Sequence, residues 1–151
     1  MTPSKIFRNP THLINLASRT FTKVIEARLR RIGIGIGQVP VLAALKDGHA
    51  LHQTELARMA RVEQPSMAAI LKRMERDGLI ERISNPDDSR GYAVALTPKA
   101  IERIPEAHAI MMQGNDEALE GLSEEEIVTL TALLERVNEN LDRASIKMPS
   151  L

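Results

Sequence analysis

Along residues 64–77, QPSMAAILKRMERD, the side chains able to do chemistry fall on one side of a helix. Met67, Ile70, Leu71 and Met74 recur at the spacing of an apolar, inward face. The opposite face offers Gln64, Pro65, Ser66, Ala68, Ala69, Lys72 and Arg73. That set suits the major groove of DNA. Small residues let the backbone approach, Gln64 and Ser66 can reach base edges, and Lys72 and Arg73 can meet bases or phosphates. An ordinary solvated face would look similar, so the surrounding elements must decide.

Before this helix, Gln53–Met59 reads as a short helix with Leu56, Met59 and Ala60 on one face, followed by a turn at residues 60–63. After it the apolar period changes from helical to twofold. Gly78 is placed as a left-handed cap, and Leu79–Ser84 and Tyr92–Thr97 read as two strands around the polar loop NPDDSRG. A short helix, a tight turn, an amphipathic helix and a hairpin, in that order, make a helix-turn-helix with a wing. The wing favours the DNA reading over the solvated face.

Other chemistries fit less well. IGIGIG, residues 32–37, invites a nucleotide reading, but a dinucleotide fingerprint starting at Gly33 or Gly35 would need glycine at Gln38 or Pro40. No Gly-Lys-Ser/Thr follows, and what precedes is helical: Leu13, Leu16, Phe21, Val24, Ile25, Leu29 and Ile32 form one stripe. The glycines therefore mark a corner, with Gly33 ending one helix and Pro40 in the first turn of the next, Gln38–Lys46. No H-E-x-x-H, no G-x-S-x-G and no cysteine occurs, so an enzyme is disfavoured and thiol switching is excluded. His12, His49, His52 and His108 make no ligand-spaced cluster on one helix, although His49 and His52 are close. No metal or other cofactor is expected.

The 151 residues suit one folded chain with no membrane-spanning or signal segment, and a cytoplasmic location is expected. Zero net charge hides an asymmetry. Residues 1–31 carry seven Lys/Arg against Glu26, whereas residues 102–142 carry eleven Asp/Glu against Arg103 and Arg136. Asn9-Pro10 starts the first helix, Thr97-Pro98 the fifth and Leu122–Glu126 the last, through a capping box. Pro105 should kink or interrupt the fifth helix.

DGLIERISNPDDSRGYAVALT, residues 77–97, resembles the MarR family of bacterial transcriptional regulators. The residues carrying the likeness are Gly78, Leu79, Asp88, Arg90, Leu96 and Thr97. TELARMARVEQPSMAAILKRME is similar to that family's helix-turn-helix, and LSEEEIVTLTALLERVNENL to its C-terminal dimerisation helix. Three positions depart. Ser89 replaces a frequent second basic residue, His52 stands where Ser or Thr often caps, and Pro105 lies in a helix usually longer.

The resemblance implies a mainly α fold: an N-terminal arm and dimerisation helix (residues 1–36), a winged helix-turn-helix (37–97) and C-terminal dimerisation helices (98–151). It implies a homodimeric repressor on double-stranded DNA, with recognition helices about one turn, roughly 34–36 Å, apart on an inverted-repeat operator. Gln64, Pro65, Ser66, Ala69, Lys72 and Arg73 would contact DNA, as would the wing residues Asp88, Ser89 and Arg90. Arg90 would enter the minor groove, oriented by Asp88. A small aromatic or phenolic effector would release the DNA, bound near Arg19 and His12, which lie seven residues apart on one face. Phe21 and Met111 or Met112 are candidate liners of that cleft. The alternatives are a metal-responsive member of the same fold and a non-enzymatic protein-interaction module using the acidic half.

Overall fold

Asn9 begins the first helix as expected: its carboxamide oxygen accepts from the Thr11 N–H at 3.0 Å, with Pro10 at the first helical position. The computed structural model describes residues 7–147. Helix α1, Pro10–Leu29, is followed by a 3-10 turn over Arg30–Ile32 that ends on Gly33 at φ +73°. The corner is then tied down from three sides. Glu26 accepts from the Ile36 N–H at 2.7 Å, Gln38 accepts from the Gly35 N–H at 3.0 Å, and Arg103 donates to the Ile32 carbonyl. IGIGIG is thus a turn in which the Ile32 carbonyl and the Gly33, Ile34, Gly35 and Ile36 N–H groups are partnered within the chain.

Helix α2, Val39–Leu45, is two residues shorter than expected and buries Val41, Leu42 and Leu45. A two-residue strand follows, β1 at Leu51–His52, for which the sequence carried no twofold signal. Helix α3 spans Gln53–Ala60 and helix α4 Gln64–Arg76. Arg61, at φ +56°, makes the sharp turn out of α3. In α3 Leu56 is buried and Ala60 half-buried against the core, as expected; Ala57 is buried beside them, and Met59 departs from the expected face by being exposed.

Met67, Leu71 and Met74 of α4 are fully buried, each side chain contributing about 1.5–3 kcal/mol by leaving water. Gly78 closes the helix at φ +72°. Strands β2, Ile80–Ser84, and β3, Tyr92–Leu96, pair antiparallel with Ile80 opposite Leu96 and Ser84 opposite Tyr92. β1 adds to the other edge of β3, with His52 opposite Ala93. Val94 and Leu96 point into the core, whereas Tyr92, in the same alternation, is exposed near the tip.

Thr97 hands the wing to helix α5, Pro98–Ala118. Its hydroxyl donates to the Gly78 carbonyl at 2.6 Å and accepts from the Ala100 N–H at 3.3 Å. Pro105 does not interrupt α5. It removes the N–H that would serve the Ile101 carbonyl, but both residues lie on the exposed side, where solvent can satisfy that oxygen. Gly114 lets α5 approach α1 closely, against Ile25 and Phe21.

The chain divides into two compact units between Gly114 and Asn115, within α5. The second unit holds helix α6, Glu124–Ile146, started by the expected box: Ser123 accepts from the Glu126 N–H and Glu126 from the Ser123 N–H. No residue of α6 is fully buried, and Val128, Leu133 and Leu141 are exposed. In the first unit Leu13, Leu16 and Val24 of α1 are likewise uncovered, although Ile25 and Leu29 are buried. Among the described residues no helix is long and apolar enough to cross a membrane.

Candidate nucleic-acid interface

The outer face of α4 is open. Gln64, Pro65, Ser66, Ala69, Lys72 and Arg73 are all exposed. This follows from periodicity: packing Met67, Leu71 and Met74 against the core turns the residues between them to solvent. Gln64 is held at the helix start by Gln53, whose amide donates to its side-chain oxygen at 3.2 Å and reaches its carbonyl at 3.4 Å.

The wing tip is ordered by its own side chains. Asn85 accepts from the Asp87 N–H through its side chain and from the Asp88 N–H through its carbonyl, both at 3.0 Å, and Gly91 leaves the turn at φ +87°. Asp88 Oδ1 accepts from Arg90 twice, from the backbone N–H at 3.0 Å and Nε at 3.1 Å. Asp88 Oδ2 takes Arg90 Nη2 at 3.0 Å and lies 2.8 Å from His52 Nε2. The other ring nitrogen of His52, Nδ1, lies 3.1 Å from the Tyr92 carbonyl.

These contacts set the charges. Hydrogen bonds from the Arg90 side chain, then from its backbone, hold the Asp88 carboxyl well below the usual carboxylate range. The charge of Arg90 and the contact to His52 act the same way, against the opposing effect of burial. Arg90 is raised in turn, first by its bond to Asp88. One edge of the guanidinium is committed to the carboxylate, yet the side chain remains 61% exposed. It is a cation fixed in direction and open to a partner.

The helix and the wing meet over one cleft of about 310 Å³, lined by Gln53, Thr54, Gln64, Arg82, Arg90 and Tyr92 among others. The cleft brings together Gln64 and Arg90 from the expected set. It adds Gln53, Thr54, Arg82 and Tyr92, which the sequence reading did not single out. Arg82 is fixed by Glu75 at 2.9 Å and lies over the Tyr92 ring, 6.0 Å from its centroid. Its exposed place in the strand alternation was the available signal. Arg73 also lines a second cleft of about 480 Å³, with Glu26, Arg30, Gln38, Arg76 and Asp77.

The family model for MarR matches residues 32–91, from the glycine corner to the end of the wing loop. A solved transcriptional regulator, PA3341, is 30% identical and aligns over 87% of this chain and 96% of its own, with a TM-score of 0.72. The chain belongs to the MarR family. Escherichia coli MarR, solved as a cysteine-to-serine mutant with operator DNA, is 25% identical over 84% of this chain and 91% of its own, with a TM-score of 0.76. Bordetella bronchiseptica BpsR, whose DNA binding is regulated by 6-hydroxynicotinic acid, shares the fold at 21% identity. That match covers 87% of this chain and 94% of BpsR, with a TM-score of 0.79.

Within this MarR-family fold the two effector candidates have different surroundings. Arg19 is exposed on α1, and His12 packs edge-on against Phe7, ring centroids 5.4 Å apart. Phe21 and Met111 are half-buried against the core, and Met112 is exposed. Among the described residues no group of three or more His, Cys, Asp or Glu could hold a metal ion. His52, where the MarR-family resemblance leads one to expect a capping Ser or Thr, leaves the cap to Glu55, which accepts from the His52 N–H at 2.9 Å.

Proposed function

We propose that this MarR-family regulator acts by binding rather than by catalysis, as a homodimeric, sequence-specific repressor on an inverted-repeat operator. The observation that carries the reading is the shared cleft, in which the start of α4 and the Asp88-directed Arg90 converge. From there the exposed face of α4 reads bases in the major groove through Gln64 and Ser66, with Pro65 and Ala69 allowing close approach. Lys72 and Arg73 serve phosphates, Arg90 reaches the minor groove, and Asp88 and Ser89 shape the wing. The operator complex of Escherichia coli MarR supports DNA as the partner.

The uncovered apolar residues of α1 and, separately, of α6 support pairing of two copies through residues 1–36 and 98–151, leaving 37–97 for DNA. A two-fold dimer then asks for half-sites about one turn apart. Release by a small aromatic acid through Arg19 and His12 completes the reading, with BpsR as a fold-level precedent for that ligand class. A cytoplasmic location accompanies it.

Selection of duplexes from a random-sequence pool by the full chain tests this directly. Enrichment of an inverted repeat is expected. Enrichment of no sequence would overturn it.

A further inference from the structure

The His52 side chain makes its contacts in the wing. It is buried, opposite Ala93 in the β1–β3 ladder, and its two ring nitrogens face two acceptors on different parts of the wing. Nδ1 meets the Tyr92 carbonyl at 3.1 Å, and a carbonyl can only accept. Nε2 meets Asp88 Oδ2 at 2.8 Å, and an ionised carboxylate also only accepts. Making both bonds takes a proton on each nitrogen. A neutral ring has one, and must surrender either the wing tip or the β3 backbone.

We propose that His52 is a positioning residue for DNA binding, which in its doubly protonated form fixes the Asp88 carboxylate and thereby the direction of Arg90. The inference rests on the DNA-binding reading above and deepens it. Asp88 is the shared element: Oδ2 holds His52 and Arg90 Nη2 together, while Oδ1 holds the Arg90 backbone and Nε. Without the imidazolium, the contacts left to the carboxylate are those within the wing loop itself, and none ties it to the body of the domain. Arg90 then enters the groove after paying for an ordering that His52 otherwise provides in advance.

Few charged groups face the ring, and their state between pH 5 and 8 is set by their own partners. From the wing it faces Asp88 and, through it, Arg90; from β3, Tyr92. Arg82 of β2 lines the same cleft and is paired with Glu75 of α4. Glu55 of α3 is committed to the His52 N–H. Asp88 is ionised throughout this window, since its carboxyl lies well below the usual range. The doubly protonated ring that makes both bonds is the acid form of an imidazole, so the braced wing belongs to the acid end and is lost as pH rises.

The test measures affinity for a duplex selected from a random pool by the full chain, at fixed salt, from pH 5.5 to 8.5. Wild type is expected to weaken with rising pH by on the order of tenfold, the effect of one charged hydrogen bond. His52→Gln is expected to bind at every pH as wild type does at pH 8.5. Asp88→Asn keeps the ring and should also flatten the profile, which covers failure of the first variant to fold. His49→Gln should retain the full slope. Equal slopes in wild type and His52→Gln would overturn the proposal.

Nitrogen-resolved NMR of the free protein supplies an arm independent of DNA. Backbone amides of Asp88 and Arg90 should shift with pH in step with the His52 ring in wild type and stay still in His52→Gln. Amides indifferent to pH would refute the brace even if DNA binds. Co-titrating amides with no duplex selected would instead refute the DNA-binding reading and leave the brace standing.

Discussion

Asp88 and Arg90, two residues apart at the tip of the wing, are joined by three hydrogen bonds that use both carboxylate oxygens, one backbone N–H and one edge of the guanidinium. The pairing aims Arg90 before any partner arrives. A flexible arginine at the same place would lose side-chain freedom on entering a groove, which costs affinity.

The carboxylate's own titration follows from these bonds. Its folded-state pKa is depressed, so the pairing is complete above the unfolded value and is lost only as pH falls through the folded one. At about pH 4, near the ordinary aspartate midpoint, Asp88 is expected to remain ionised. Side-chain carbon NMR through an acid titration checks this, and a normal midpoint at Asp88 would contradict it.

Gln64→Ala and Ser66→Ala are expected to relax sequence preference, each at its own base step and by about 1–3 kcal/mol. Gln53→Ala should weaken the same preference as Gln64→Ala, because Gln53 holds the Gln64 side chain. Comparison of binding to singly substituted duplexes reads this out. Unchanged preference in all three variants would mean that α4 does not face the groove.

Lys72→Ala is expected to act differently, lowering affinity for every duplex alike. The slope of log affinity against log salt should shrink by about one, as for a single phosphate contact. A salt titration on two unrelated duplexes decides it. A changed preference with an unchanged slope would reassign Lys72 to base reading.

Gly114→Ala is expected to destabilise the chain although alanine is the better helix former. The new methyl would clash with Ile25 Cδ1 and touch Phe21 at 3.5 Å, and Ile25 is fully buried. Overpacking of about 1–3 kcal/mol should outweigh roughly 1 kcal/mol of helix preference. Thermal unfolding measures the balance, and a raised Tm would show that α1 and α5 can separate at no cost.

Much of this architecture was legible because single residues carried it. Asn9, Thr97 and Ser123 begin helices by side-chain capping, and Gly33 and Gly78 end them at positive φ. The change of period after Gly78 announced the wing, and the Asp88–Arg90 pair is a local contact within one loop. What stayed hidden depends on distant partners. β1 is two residues long and exists because β3 offers an edge. The contacts of His52 reach residues 36 and 40 positions away. An interruption of α5 at Pro105 is what the sequence suggests, and its exposed setting, which tolerates the lost hydrogen bond, is a property of the fold.

Arg19→Ala should leave DNA affinity nearly unchanged while abolishing release by an aromatic carboxylate. By linkage, such a ligand must bind the free protein more tightly than the DNA complex. Calorimetry with a panel of aromatic acids on both variants checks this. No binder, or equal release in both, removes Arg19 from any sensor.

Binding of Arg90→Ala to the selected duplex, beside wild type in one gel-shift series at fixed salt, tests the central claim most directly. The account predicts a loss of at least tenfold in affinity, with the same circular dichroism and unfolding temperature as wild type. Equal affinity in a folded variant would contradict it, because the wing would then have no part in holding DNA.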